Sequence, residues 1–253
     1  MKKKIVIIAG LILLIAGIVL GCFGLSNYLE EKLAGHDYEN LKVEFDIEPV
    51  LDIPKMDDGP VEVPIDFQSL TAQYPDIYAW IYIPGTNVNY PILQREGDNG
   101  YYLNHTYEGK SRAEGAIYTE NYNEKDFSDP NTLIYGHNMK NGSMFQTLHK
   151  YKNKQFFEEN SDIYIYQEGR ILRYKIFAAY VYDARHIMKS FDFNDEYEYR
   201  MYLNSILTKK DMSSNIDTSI SVTTEDKIIT LSTCNNNDAQ RYLVQAVLLS
   251  IQQ

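Results

Sequence analysis

The chain is short of cysteine, of basic residues and of low-complexity sequence, and each shortage excludes a class of protein. Its 253 residues include 24 Lys and Arg against 35 Asp and Glu, a net charge of −11. That balance argues against a nucleic-acid partner, because phosphate binding needs a basic surface. A hydrophobic fraction of 44%, with 22 tyrosines, excludes a disordered chain. We therefore expect one packed domain after the N-terminal segment.

The first 28 residues differ in composition from the rest of the chain. Three lysines at 2–4 precede an apolar run from Ile5 to Leu25, and about 20 apolar residues can span a bilayer. Because positive residues favour the cytoplasmic side, this segment predicts one transmembrane helix with a cytoplasmic N-terminus and an extracytoplasmic chain. A cleaved signal peptide and a lipid anchor at Cys22 are the rival interpretations.

Residues 29–65 carry acidic residues and prolines without a sustained apolar period, which indicates a stalk or linker with an N-terminal helical region. Core patterning starts near Asp66, and it predicts a helix at 67–74 and helical spacing at 144–151 and 195–209. Strands are predicted at 79–83, 88–93, 115–119, 131–135, 163–167, 170–183, 219–223, 227–233 and 242–251. Many short strands favour a mostly-β barrel or sandwich over residues 66–253.

The two cysteines cannot form a structural disulfide, because Cys22 lies in the predicted membrane segment and Cys234 in the folded domain. An unpaired thiol outside the cytoplasm is a liability unless it is buried or used. Cys234 ends an apolar strand and precedes a polar loop. Burial as a small apolar residue is the alternative, but this position favours a reactive thiol on the rim of the domain.

A thiol of pKa about 8.5 needs a base or a cation beside it to act as a nucleophile near neutral pH. His137 follows the apolar strand 131–135 after Gly136, whereas the other histidines lie in polar or helical contexts typical of solvated surface residues. Arg241 follows Cys234 closely enough to reach an oxyanion formed at the thiol. The three residues are thus a candidate catalytic set, with a surface histidine and an ion-paired arginine as the alternatives.

At these residues the sequence resembles the sortase family. The string TLSTC at 230–234, with Arg241 after it and YGH at 135–137 before it, matches the family's order of His, Cys and Arg. The resemblance extends over about 66–251 and is greatest to class B, through NVNYP at 87–91 and NGYYL at 99–103. It implies an eight-stranded β-barrel with N-terminal helices and a helix-bearing insertion between the sixth and seventh strands, at about 182–219.

The resemblance also implies a function. Sortases are membrane-anchored cysteine transpeptidases of the Gram-positive-type cell surface. They cleave a C-terminal sorting motif of secreted proteins and transfer the product to an amine of cell-wall peptidoglycan. Cys234 would then be the nucleophile, His137 the proton donor and acceptor, and Arg241 the oxyanion ligand. The residues expected to bind the sorting motif are Asn99, Leu103, Ser232, Ile187 and Met188.

The chain departs from the family's pattern after the cysteine. The first acidic residue after Cys234 is Asp238, behind three asparagines, so we expect backbone or water to hold His137 instead of a carboxylate. The acidic loops lack a calcium-ligand spacing, and we predict no metal and no cofactor. Two rival functions are a cell-wall cysteine endopeptidase, in which the cysteine usually precedes the histidine, and a non-catalytic membrane-tethered binding protein.

Overall fold

The computed structural model describes residues 2–48, 51, 52, 54, 61–209, 211, 214–235, 237 and 239–253. In the first helix, side chains are described at positions 13–26, 28, 29, 32 and 33. Asp238, considered above as a partner of His137, lies outside the described residues. So does part of the 29–65 segment.

Eight strands close into a barrel, as the resemblance implied. The strands are β1 (Ile77–Tyr82), β2 (Asn89–Leu93), β3 (Ile117–Thr119), β4 (Asn131–Tyr135), β5 (Asp162–Gln167), β6 (Arg170–Asp183), β8 (Ile228–Cys234) and β9 (Gln240–Gln252), with β7 (Asn215–Ile216) added to β6. Their order is β5-β1-β2-β3-β4-β8-β9-β6, and pairing of β5 with β6 closes the barrel. Two neighbouring pairs, β2–β3 and β4–β8, are parallel.

Helices precede the barrel and lie between its strands along the chain. They are α1 (Lys2–Leu33), α2 (His36–Glu44), α3 (Phe67–Gln73), α4 (Lys154–Glu159), α5 (Ile187–Ser190) and α6 (Glu196–Leu207), with 3₁₀ helices at Tyr101–Leu103 and Gln146–Lys152. Asp195 caps α6 by accepting a hydrogen bond from the Glu198 backbone N–H at 2.9 Å. The insertion that carries α5, α6 and β7 lies between the sixth and seventh barrel strands, as expected. The helix predicted at 144–151 is the 3₁₀ helix Gln146–Lys152.

The first helix contains the apolar run of the sequence. Within the described residues, no helix combines the length and the apolarity of a membrane span. The predicted transmembrane helix is therefore not supported by the structure.

The hydrophobic core begins earlier in the chain than the apolar pattern indicated. Tyr38 and Leu41, on one face of α2, are completely buried, and Ile47 and Leu51 join them in the main core. The Tyr38 hydroxyl also donates a hydrogen bond to the Gly115 carbonyl at 2.6 Å. The sequence of α2 gives no clear apolar period, because its few buried residues lie among charged ones.

The strand predicted at 219–223 does not form. The segment makes turns, in which the Ser219 N–H donates to Asp217 Oδ1 at 2.9 Å and the Thr223 N–H donates to Asp226 Oδ2 at 2.7 Å. Carboxylate side chains that accept local backbone bonds offer the chain an alternative to a strand ladder. The strand added to β6 lies a few residues earlier, at β7.

A buried polar network joins the insertion to the barrel. The side-chain amide of Gln245 on β9 donates to the Tyr202 hydroxyl of α6 at 2.7 Å and to Thr230 Oγ1 of β8 at 2.9 Å. Its oxygen accepts from the Tyr180 hydroxyl of β6 at 3.0 Å. Gln245, Tyr180, Tyr202 and Thr230 are fully buried. One amide therefore satisfies polar groups on three other elements.

We expect Gln245→Leu to lower the free energy of unfolding by about 2–4 kcal/mol, because removing the amide strips bonds from buried hydroxyl groups. Urea unfolding followed by circular dichroism measures the change. The matched control is Gln155→Leu, since Gln155 is an exposed residue of α4 that bonds Glu159, and we expect a change within about 0.5 kcal/mol there. Equal effects of the two substitutions would contradict the structural role of the network.

Candidate active site

The parallel pairing of β4 with β8 sets the positions of His137 and Cys234. The register aligns Asn131 with Ile228 and Tyr135 with Ser232, so both strands end at the same rim of the barrel. Beyond the paired residues, the Gly136 N–H donates to the Ser232 carbonyl at 3.1 Å. Continuation of this register brings His137 beside Cys234. The two strand ends that present these residues in the sequence are thus neighbours in the fold.

Gly136 is required for the close approach of this segment to the core. A Cβ atom at this position would lie 2.5 Å from Ile117 Cδ1 and 2.6 Å from the Phe145 ring. Both neighbours are completely buried and cannot move aside without repacking. The glycine therefore lets the backbone that carries His137 lie against the barrel.

Arg241 lies on β9, which pairs with β8 on the side away from β4. The antiparallel register of β8 and β9 aligns Cys234 directly with Arg241. The guanidinium donates to the Gln240 backbone carbonyl through Nη1 at 2.9 Å. Cys234 is half-buried, with a free thiol. The fold thus brings a thiol, an imidazole and a guanidinium from three adjacent strands to one rim.

The His137 ring is held by the backbone. Its Nε2 lies 2.6 Å from the Leu103 carbonyl oxygen, at the end of the 3₁₀ helix Tyr101–Leu103. Because a carbonyl only accepts hydrogen bonds, Nε2 must carry the proton in this contact. Nδ1 is then the nitrogen left to gain and lose a proton. A backbone carbonyl therefore orients His137, which agrees with the expectation that backbone or water would do so.

The five residues expected to bind substrate lie in different environments. Leu103 is 52% exposed and its carbonyl contacts His137, which places it at the site. Ser232 is 6% exposed and lies two residues before Cys234 on β8. Asn99 holds the loop after β3, because its Oδ1 accepts hydrogen bonds from the backbone N–H and the side chain of Asn121.

Ile187 and Met188 belong to α5 in the insertion. At 3% exposed, Ile187 packs in a second core cluster, formed between insertion residues such as Tyr202 and barrel residues such as Phe177, and is a core residue in this structure. Met188 is partly buried and lines a surface cavity of about 520 Å³ with Tyr122 and Phe191. The structure thus separates the two residues: Ile187 packs between the insertion and the barrel, and Met188 faces a cavity.

A second histidine contacts the cysteine. His149, in the 3₁₀ helix Gln146–Lys152, places Nε2 at 3.0 Å from the Cys234 carbonyl oxygen. Asn138 donates its side-chain Nδ2 to the same oxygen at 3.1 Å. The sequence indicated a solvated surface role for His149, which was wrong. Its local pattern resembles that of any polar helical residue, and only the packing of this helix against β9 reveals the contact.

The environment of His149 disfavours its charged form. Burial lowers the pKa of His149 below its usual range, and the positive charge of Lys152 lowers it further, whereas the bond to Cys234 acts in the opposite direction. The ring stacks on Tyr242, with ring centroids 4.9 Å apart. Its Nδ1 is buried without a hydrogen-bond partner among the described residues. His149 is therefore held as the neutral form with the proton on Nε2.

A third histidine ties the insertion to the rim. His186, just before α5, places Nε2 at 2.8 Å from Glu120 Oε2, and the Tyr135 hydroxyl donates to the same oxygen at 3.0 Å. Tyr135 immediately precedes Gly136 and His137. Burial and the Glu120 charge raise the pKa of the Tyr135 hydroxyl. This end of the insertion thus lies against the strand that precedes His137, a contact that the sequence did not indicate.

An eight-stranded barrel that presents Cys, His and Arg at the ends of three adjacent strands defines a class of cysteine transpeptidases. The chain belongs to the sortase family, since residues 81–249 match the model of the sortase domain. Within that family it is a class B sortase, and class B relatives cover most of its length.

Two curated relatives and two solved structures illustrate the similarity. Sortase B of Staphylococcus aureus is 29% identical over 98% of both chains. Sortase B of Listeria monocytogenes is 34% identical over 75% of this chain and 76% of the relative. A substrate complex of the S. aureus enzyme has a TM-score of 0.64 at 30% identity, covering 73% of this chain and 84% of the other. Sortase B of Bacillus anthracis reaches 0.67 at 32%, covering 84% and 97%.

The depressed pKa of His149 predicts acid sensitivity. Because the unfolded state binds this proton more readily, the contribution of His149 to stability is complete above the unfolded pKa of about 6.5 and decreases as the pH falls below it. We expect His149→Gln, which cannot titrate, to lose less stability than the parent chain between roughly pH 7.5 and pH 5. Urea unfolding at both pH values measures this difference. An equal or larger loss in the variant would contradict it.

Proposed function

We propose that this sortase cleaves a short C-terminal sorting motif of secreted proteins through a thioacyl-enzyme and transfers them to an amine of cell-wall peptidoglycan. The observation that carries the proposal is the convergence of Cys234, His137 and Arg241 on one rim, through the registers of β8 with β4 and with β9. Asn99, Leu103, Ser232 and Met188 are proposed to contact the motif. Ile187 supports the insertion from within the core.

In the first half-reaction, the Cys234 thiol gives its proton to His137 Nδ1, and the resulting thiolate attacks the carbonyl carbon of the scissile bond. The oxygen of the tetrahedral intermediate becomes negative, and the Arg241 guanidinium donates hydrogen bonds to it. When the C–N bond breaks, protonated His137 gives its Nδ1 proton to the departing amine. Nε2 keeps its proton on the Leu103 carbonyl throughout, so the ring is neutral once Nδ1 has given up its proton.

In the second half-reaction, an amine of a peptidoglycan precursor or cross-bridge attacks the thioester. His137 Nδ1 accepts the proton of the attacking amine, the new amide bond forms and the Cys234 thiolate leaves. One solved relative is a sortase B complexed with triglycine, and another is a sortase B–substrate complex. These relatives support an acyl acceptor that carries a free amine.

Intact-mass spectrometry of the full chain, incubated with a panel of sorting-motif peptides, tests this chemistry. We expect an added mass equal to the acyl fragment of one peptide, which an amine such as triglycine then removes as a ligation product. Cys234→Ala should show no adduct, because it lacks the sulfur that carries the acyl group. Hydrolysis of peptides without adduct or ligation would instead support the endopeptidase, and an unreactive Cys234 in a folded chain would support a binding protein.

The cellular location is a separate part of the proposal and rests on the sequence. Lysines at 2–4 followed by the apolar run to Leu25 are typical of a single-pass anchor with a cytoplasmic N-terminus. We propose that this segment tethers the catalytic domain to the outer face of the cell membrane. A secreted substrate held in the same membrane by its own hydrophobic tail would then reach a high effective concentration.

Cell fractionation tests the anchor. We expect the full chain to sediment with membranes and to remain there at high salt, because apolar insertion is not screened by ions. Cys22→Ala should behave identically if the helix is the anchor, whereas release of this variant would indicate a lipid on Cys22. Recovery of the unmodified chain in the soluble fraction would contradict the anchor.

A further inference from the structure

The ladder between β4 and β8 ends one step before the cysteine. The last backbone bond of the pair runs from the Gly136 N–H to the Ser232 carbonyl at 3.1 Å. In a parallel ladder the next bond in the same direction would join the backbone N–H of residue 138 to the Cys234 carbonyl, two residues further on. The Asn138 side chain takes that place, with Nδ2 at 3.1 Å from the Cys234 oxygen. A side-chain hydrogen bond thus replaces the backbone bond where the pairing of β4 with β8 ends.

His149 supplies the second donor to this oxygen, at 3.0 Å. A carbonyl oxygen has two lone pairs, and the two side chains occupy both. The ring of His149 is itself fixed, because it stacks on Tyr242, which the β8–β9 register holds opposite Thr233. The donors come from the loop after His137 and from the 3₁₀ helix, so the Cys234 carbonyl joins three separate segments of the chain.

We propose that His149, with Asn138, is a positioning residue for the nucleophile, which fixes the Cys234 carbonyl and through it the direction in which the thiol is presented. The proposal rests on the proposed function of Cys234. The peptide between Cys234 and Asn235 is planar, so holding its oxygen fixes the plane that follows the nucleophile's Cα. Reaction rates fall steeply when an attacking atom is misplaced by about 1 Å.

His149 acts here through its N–H bond and not by exchanging protons. Its Nε2 proton is engaged by the Cys234 carbonyl, and Nδ1 is buried. The charged and titratable groups that face it are Lys152, whose Nζ lies over the Tyr242 ring and donates to Asn235 Oδ1 at 2.8 Å, and the Tyr242 hydroxyl. Lys152 thus bonds to the residue after the cysteine. The same 3₁₀ helix therefore contacts both residues of the Cys234–Asn235 peptide bond.

Two substitutions separate the hydrogen bond from the packing of the ring. His149→Phe keeps an aromatic ring against Tyr242 but lacks the donor, and His149→Gln keeps an amide N–H near the position of Nε2. We expect His149→Phe to lower kcat for peptide cleavage about tenfold with KM nearly unchanged, because a misdirected thiol slows the chemical step and leaves the binding of the substrate peptide as it was. His149→Gln should restore most of kcat. The control is His36→Gln, at an exposed residue of α2.

A second readout does not depend on turnover. Cys234–Asn235 is the only Cys–Asn pair in the sequence, so labelling the full chain with ¹³C-carbonyl cysteine and ¹⁵N-asparagine gives one carbonyl–amide correlation in NMR. We expect this signal to move in His149→Phe and to stay near its wild-type position in His149→Gln. Alkylation of Cys234 by iodoacetamide should differ less than about twofold between the variants, since a small reagent does not need the thiol to be aimed.

The outcomes distinguish this proposal from the proposed function. Absence of peptide acylation in the wild-type chain would overturn the proposed function, and the NMR signal would still test whether His149 holds the Cys234 carbonyl. An unmoved signal in His149→Phe would overturn the positioning role. Equal losses of kcat in the two His149 variants, or a loss that appears in KM, would overturn it as well.

Discussion

The parallel contact between β4 and β8 is the constraint on which the candidate site depends. It joins segments about 100 residues apart in the chain and ends both strands at one rim. Antiparallel pairing of β8 with β9 then adds Arg241 across from the thiol. A change of register by one residue in either pair would turn the alternate side chains to the other face and separate the three groups. The chemistry therefore depends on backbone pairing before it depends on any side-chain contact.

Two backbone carbonyls at this rim orient histidine rings, a role that carboxylates have in many catalytic sites. The Leu103 oxygen holds Nε2 of His137, and the Cys234 oxygen holds Nε2 of His149. In each case the acceptor fixes the tautomer, because a carbonyl has no proton to give. For His137, a neutral acceptor also leaves the charge of the ring free to change during the proposed reaction, without the strong bias that a nearby carboxylate would impose.

The insertion between β6 and β8 is attached to the barrel on two sides. Gln245 on β9 bonds to Tyr202 on the buried face of α6 and to Thr230 on β8, and at the rim Glu120 accepts from Tyr135 and lies beside His186. Ile187 adds a buried apolar contact in the second core cluster. The insertion is therefore held by the same strands that carry His137 and Cys234. If the insertion shapes the groove that binds the substrate peptide, that groove and the reacting groups are positioned by the same part of the barrel.

Local patterns in the chain were sufficient to place most strand segments and to identify the residues at their ends. Many short apolar runs predicted a mostly-β fold. Two of these runs end at His137 and Cys234, and with the arginine shortly after the cysteine they indicated the three candidate catalytic residues. Local patterns did not show the core contribution of Tyr38, the turns at 219–223 or the role of His149. Tyr38 and His149 depend on partners far along the chain, which are Gly115 for Tyr38 and Cys234 for His149. Only the folded chain defines these contacts, because periodicity reports which face of an element is buried and carries no information about which distant backbone atom lies against it.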